Sequence, residues 1–275
     1  MGGIIWLASF PKSGNTWMRS FLHNLLRNPT ESYDINTLTD FTLGEAQTRW
    51  FKQFDPRPGS EYSLADVRRM RPAVHRHLTT LSPDSVFVKT HNALIEDEGV
   101  PLVTMGVTAG AIYIVRDPRD VVISYSHHQG KSLDFAIDML GQDAACTGGD
   151  DINVYEYLSS WSRHVASWTS APNPQLLVQR YEDLLDQPVK SFGSVAKFLG
   201  LDVTRARLDK AMKLSSFKVL KAQEQRKGFI ERPARSDAPF FREGKAGQWR
   251  KILTPEQVAR IEADHGEQMR RFGYL

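Results

Sequence analysis

Four apolar residues, Ile4-Ile5-Trp6-Leu7, run straight into Ser-Phe-Pro-Lys-Ser-Gly, and no other stretch restricts the fold so tightly. A short buried strand here delivers the chain to a loop at Pro11 to Gly14. From Asn15 onward Trp17, Phe21, Leu22, Leu25 and Leu26 recur at helical spacing, so the loop lies between a strand and a helix. Free N–H groups and the positive end of the helix dipole make such a loop attractive to anions. Lys12, Ser13, Asn15 and Thr16 add a cation and several donors. An ordinary strand-to-helix connection is the competing reading. The loop is not a Walker A motif, because Lys12 precedes Gly14 rather than following a second glycine, which weighs against a standard nucleoside triphosphatase.

Later strands repeat the pattern. Val86-Phe87-Val88 ends at Lys89-Thr90-His91-Asn92, and Lys89 and His91, two apart on an extended segment, share a face. Polar clusters of this kind belong at the carboxyl edge of a parallel sheet, where ligands bind. Ala111-Ile112-Tyr113-Ile114-Val115 leads into Arg116-Asp117-Pro118. Asp117 is placed as an N-cap and Pro118 as the first helical residue, predicting a helix to about His128 with Val121, Val122 and Tyr125 inward. Arg116, at the strand end, is placed for a second anion; an ion pair with Asp117 or Asp120 is the alternative. Leu176-Leu177-Val178 reads as a fourth strand, followed by Arg180-Tyr181-Glu182-Asp183. Strands alternating with helices predict a single α/β domain over 1–275, with a mostly parallel central sheet flanked by helices.

The connecting segments are less regular. Pro29 to Pro83 mixes aromatics with proline and glycine, which fits either an acceptor pocket wall or a helical cover. Within it Arg68 to Leu81 reads as a helix with Val74, Leu78 and Leu81 on one face and His75 and His77 at the surface. Lys131 to Asp151, rich in Gly and Asp, reads as a mobile lid. Val154 to Trp168 keeps helical register, Tyr181 leads into a helix ending near Gly200, and another spans Thr204 to Leu214. Arg226 to Arg250 has few core-forming residues and reads as a long functional loop, with disorder as the alternative. Thr254-Pro255 starts a last helix that runs to about Arg271.

Composition narrows the function classes. A chain of 275 residues can bury a core that needs no staple, and its lone cysteine, Cys146, excludes an internal disulfide or a cysteine-built zinc cluster and fits a cytoplasmic location. No apolar run reaches membrane-spanning length, so no membrane insertion is expected. The formal charge of +3, without a dense basic tract, points to small acidic ligands rather than nucleic acid.

Taken in order, F-P-K-S-G-N-T-W, K-T-H, I-V-R-D-P-R-D-V-V-I-S-Y, Y-E-D and R-E-G-K-A-G-Q-W resemble the soluble sulfotransferases that use 3'-phosphoadenosine 5'-phosphosulfate (PAPS) and release PAP, over residues 4 to about 254. The resemblance implies a P-loop-like phosphosulfate-binding loop formed by Lys12, Ser13, Gly14, Asn15 and Thr16, with Trp17 stacked on adenine. It implies that Arg116 and Ser124 bind the 3'-phosphate, that Tyr181, Ser215 and Phe217 lie on the adenine side, and that Arg242 and Gly244 close over the cofactor from 226–250. His91 takes the position of the catalytic base, and Lys12 and Lys89 those of charge-stabilising lysines. No metal is implied, since Lys12 and loop N–H groups can supply the electrostatic stabilisation. The expected acceptor is a small molecule, with pocket walls from 29–83, His127, His128 and 131–151. This chain departs from the family pattern in two places. Glu243 stands where many members carry lysine, and Pro255 and Ala259 break the dimerisation motif of many animal members, leaving the oligomeric state open. Two other readings compete: a P-loop-type kinase or nucleotide hydrolase, which would need a lysine after the second glycine, and a non-catalytic PAPS-binding module, which would not need His91 beside Lys89.

Overall fold

In the computed structural model, which describes residues 2–233 and 238–275, five parallel strands build the central sheet. They are β1 (Ile4–Ser9), β2 (Thr42–Gly44), β3 (Val86–Thr90), β4 (Thr108–Val115) and β5 (Leu176–Arg180), in the order β2-β3-β1-β4-β5. Every pairing among them is parallel. Ten helices of six residues or more follow in chain order: α1 (Asn15–Arg27), α2 (Leu64–Leu78), α3 (Pro118–Gln129), α4 (Leu133–Gly141), α5 (Trp161–Thr169), α6 (Tyr181–Asp186), α7 (Pro188–Phe198), α8 (Arg205–Leu214), α9 (Phe217–Lys227) and α10 (Pro255–Arg271).

The twofold alternation of a strand sends successive side chains to opposite faces, and both faces are covered, which is why the strands read as unbroken apolar runs. Trp6, Ala8, Val88, Tyr113 and Val115 share one core with Val121 and Val122 of α3, Ile137 and Leu140 of α4, and Trp161 and Val165 of α5. Leu7, Ile112 and Ile114 point the other way, onto Met18, Phe21, Leu22 and Leu25 of α1 and Phe192 and Val195 of α7. As the sequence predicts, Asp117 caps α3 through its side chain with Pro118 in the first turn, and Thr254 caps α10; the structure adds a reciprocal capping box with Gln257. No helix among the described residues is long and apolar enough to cross a membrane.

Several expectations are corrected. The expected lid at 131–151 contains α4, because Ile137 and Leu140 supply a buried face the Gly and Asp content obscures. Residues 154–160 are extended rather than helical: Val154 N–H goes to Ala46 O at 2.7 Å, bridges join Gln47 to Asn153 and Cys146 to Tyr157, and α5 begins only after its Ser160 cap. The helix expected from Tyr181 to Gly200 breaks at Gln187, before Pro188. Leu81 lies beyond the end of α2 and is exposed, whereas His75 is fully buried. Arg226 and Lys227 close α9, so the irregular segment starts at Gly228, and residues 234–237 of the expected 226–250 loop lie outside the described residues.

Candidate active site

The strand ends open onto a cavity of about 870 Å³ at the carboxyl edge of the sheet. At its floor the chain leaves β1 and turns through left-handed backbone at Lys12 (φ 68°) and Gly14 (φ 107°). A Cβ on Gly14 would lie 2.8 Å from the Tyr181 ring, so this turn admits only glycine. Asn15 Nδ2 donates to Leu7 O at 2.8 Å and ties the start of α1 to the strand, while no side chain caps that helix. The first N–H groups of α1 therefore remain for a ligand.

Lys89 and His91 lie beside this loop. His91 Nδ1 sits 2.7 Å from Ser9 O, an acceptor only, so Nδ1 carries the proton and Nε2 the free lone pair. The ring is framed further by its own backbone: His91 N–H donates to Glu156 Oε1 at 2.8 Å, and His91 O accepts from His164 Nε2 at 3.1 Å. Tyr113 O–H donates to His164 Nδ1 at 2.8 Å and so fixes that tautomer. Burial, reinforced by the charge on Lys89, holds the His91 imidazole well below its ordinary pKa. Lys12 Nζ lies 3.3 Å from His128 Nδ1 and 3.7 Å above the Phe240 ring. Burial first, and then Arg116, lower its pKa to about 7.

Behind His91, Glu45 organises the segment that carries it. This fully buried carboxylate accepts from Arg71 Nη1 (2.8 Å), His75 Nε2 (2.9 Å) and Thr90 Oγ1 (2.8 Å), and from Asn92 Nδ2. Burial alone would raise its pKa; Arg71 and the hydrogen bonds from His75 and Thr90 hold it at about 2. Glu45→Ala leaves the Arg71 charge buried without its carboxylate and should destabilise the fold by about 3–5 kcal/mol, read as a lower urea midpoint at unchanged slope. A loss under 1 kcal/mol would show that water replaces the carboxylate.

The other end of the cavity is cationic and aromatic. Arg116 is nine-tenths buried and donates to Lys12 O (3.0 Å) and Lys245 O (3.1 Å), its guanidinium lies 4.2 Å over Tyr181, and among the described residues its Nε has no partner. It does not take up the alternative ion pair with Asp117, which pairs with Arg119 at 2.8 Å. Ser124 lies nearby, and Arg242 reaches Gln248 Oε1 at 3.1 Å. Gly244 has a positive φ of 63° and is packed so closely on Phe217 that a Cβ would fall 2.3 Å from the ring. Trp17 shares an apolar cluster with Phe217, and its buried indole N–H is unpartnered. Glu243 faces Lys245 Nζ at 3.7 Å on an exposed rim, which offsets its charge.

The structure thus brings Lys12, Gly14, Asn15, Thr16, Trp17, Lys89, His91, Arg116, Ser124, Tyr181, Phe217, Arg242 and Gly244 onto one cavity wall. Ser13 and Ser215 are fully buried behind it. Ser13 Oγ lacks a partner, whereas Ser215 Oγ donates to Ala211 O at 2.8 Å. Sequence reasoning missed the groups that anchor residues 240–249. Asp120 accepts from Gly247 N (2.6 Å) and Trp249 N (3.1 Å), and Glu224 accepts from Phe240 N (2.6 Å) and Phe241 N (2.8 Å).

Comparison with known proteins agrees over the whole length. The family model described as a sulfotransferase domain matches residues 4–273. Cytosolic sulfotransferase 17 of Arabidopsis thaliana is 32% identical over 298 residues, covering 95% of this chain and 83% of the relative. Flavonol 3-sulfotransferase of Flaveria bidentis is 25% identical over 280 residues, covering 94% and 79%. Among solved structures, a mouse sulfotransferase complexed with PAP superposes with a TM-score of 0.64 at 20% identity, covering 98% of this chain and 85% of that one. Retinol dehydratase in complex with androsterone and PAP superposes at 0.66 and 19% identity, covering 97% and 80%.

Proposed function

The chain belongs to the sulfotransferase domain family, and from that premise we propose that it moves the sulfuryl group of PAPS to a hydroxyl or amine of a small-molecule acceptor, with His91 as general base. The observation that carries this reading is the 2.7 Å contact from His91 Nδ1 to Ser9 O, which leaves Nε2 as a proton acceptor beside Lys89 at the end of the anion loop.

The residues fit a donor with two separated anionic groups. One group is met by Lys12 and the start of α1, the other by Arg116, Ser124 and Arg242, and the Trp17 and Phe217 rings lie on the same wall for a purine. Gly244 lets the chain approach Phe217 closely. When bound, PAPS supplies an activated sulfuryl group. Neutral His91 takes the acceptor proton, the Lys12 and Lys89 ammonium groups offset charge on the oxygens in flight, and the loop N–H groups hold the leaving phosphate.

The test is transfer of label from ³⁵S-PAPS to a mixed panel of alcohols, phenols and amines with Mg²⁺ omitted. Labelled acceptor with stoichiometric PAP is expected. Label released only as free sulfate would favour a nucleotide hydrolase, and tight PAP binding without release of label would favour a non-catalytic binding module.

A further inference from the structure

Beyond His91 the cavity continues along a wall where residues 44–48 and 147–156 run against each other, joined by the bridge from Gln47 to Asn153 and by Thr48 N–H to Ile152 O at 2.9 Å. Its lining is polar: Gln47, Thr147, Asp150, Asn153 and Glu156, with Ile152 as the apolar exception. Asp150 is spent on its own turn, accepting from Ile152 N at 2.8 Å and Asn153 N at 2.7 Å. Thr147 Oγ1 is spent as well, accepting from Glu156 N at 2.8 Å. Among the described residues Gln47 Oε1 is buried without a partner, as is Asn15 Oδ1 on the loop side of the same cavity. Glu156 is more than nine-tenths buried and uses Oε1 for the His91 N–H, while among the described residues its Oε2 meets no donor. A flat apolar phenol or steroid would leave the Glu156 carboxyl at this wall without a partner, at a cost of about 1–3 kcal/mol.

Resting on the sulfotransferase reading above, we infer that the acceptor is polyhydroxylated and sugar-like, presenting hydroxyls to the Glu156 and Gln47 side chains that line this wall while one hydroxyl faces His91 Nε2. In the transfer, the hydroxyl oxygen bonds to sulfur as the bond from sulfur to the phosphate oxygen breaks. The hydroxyl proton passes to His91 Nε2, and PAP leaves with the electron pair. Glu156 acts in this scheme as a specificity residue.

Two probes sharing one fluorophore test it: 2-naphthyl β-D-glucoside, which carries the hydroxyls, and 2-naphthol, which does not. The glucoside should be sulfated on its sugar with a kcat/KM about tenfold or more above that of 2-naphthol. Glu156→Gln and Gln47→Leu should each lower the ratio of the two kcat/KM values about tenfold, the loss of one hydrogen bond to the ligand. Naphthalene fluorescence in the PAP complex should show the glucoside bound about tenfold more weakly by each variant, a readout independent of turnover. A purely structural role for either side chain would lower both kcat/KM values together and leave the ratio unmoved, overturning the inference. Preference for 2-naphthol, or PAP binding with neither probe sulfated, overturns it while the donor reading stands. A protein that fails to bind PAP overturns both.

Discussion

His91→Ala is expected to lower kcat about a hundred- to ten-thousand-fold while the Kd for PAP stays within about twofold. The two quantities separate because of where the ring sits. Nδ1 is committed to Ser9 O at 2.7 Å, so in the proposed reaction the free Nε2 would face the acceptor, whereas the anion contacts would come from Lys12, the start of α1 and the Arg116 cluster. Burial and Lys89 depress the His91 pKa well below 6.5, so the free base persists as pH falls. The acid limb of kcat/KM should therefore lie well below pH 6.5 rather than at an ordinary histidine value, and His91→Ala should abolish that limb. Stopped reactions with labelled PAPS give the rate, and calorimetric titration gives the affinity. Turnover within fivefold of the parent would remove His91 as the base.

Much of this site was legible because it is built from strand ends. Each of β1, β3 and β4 is an apolar run that stops at a polar cluster, and parallel pairing then brings Lys12, Lys89, His91 and Arg116 to one edge without further information. What escaped was set by partners far along the chain. β2 has only three residues and exists through its register with β3, Thr42 against Phe87, so no local periodicity announces it. His75 looks like a surface residue on a charged helix until Glu45, thirty residues away, is placed against its Nε2. Residues 154–160 carry a helical spacing of apolar groups, but their backbone is drawn into bridges with 46–47 and 146, and tertiary pairing overrides the local pattern. Glu156 shows the same effect: sequence alone gives no sign that its carboxylate meets the backbone of His91, 65 residues upstream.

Lys12 carries the second large effect, with a pH signature that distinguishes it from a general electrostatic contribution. Lys12→Met is expected to lower kcat about a hundred- to a thousand-fold, the usual cost of losing one preorganised donor to developing negative charge. In the free protein burial and Arg116 bring the ammonium to a pKa of about 7, with Lys89 adding to the repulsion and Glu231 and Glu224 opposing it. An anion at the loop needs the charged form, so above pH 7 binding must draw a proton onto Lys12. Affinity for PAP should accordingly fall with rising pH above 7, approaching tenfold per unit, and be flat with respect to this group below it. Lys12→Met should lose that slope, and comparison with it cancels the titration of the ligand. The sign for folding is opposite: between pH 7 and 10.5 the unfolded chain holds a proton that folded Lys12 has released, so stability rises with pH across that window in the parent and not in the variant. Equal pH slopes for PAP binding in parent and Lys12→Met would place the ammonium away from the transferred group, and the Arg116 end would then have to carry the binding of both anions.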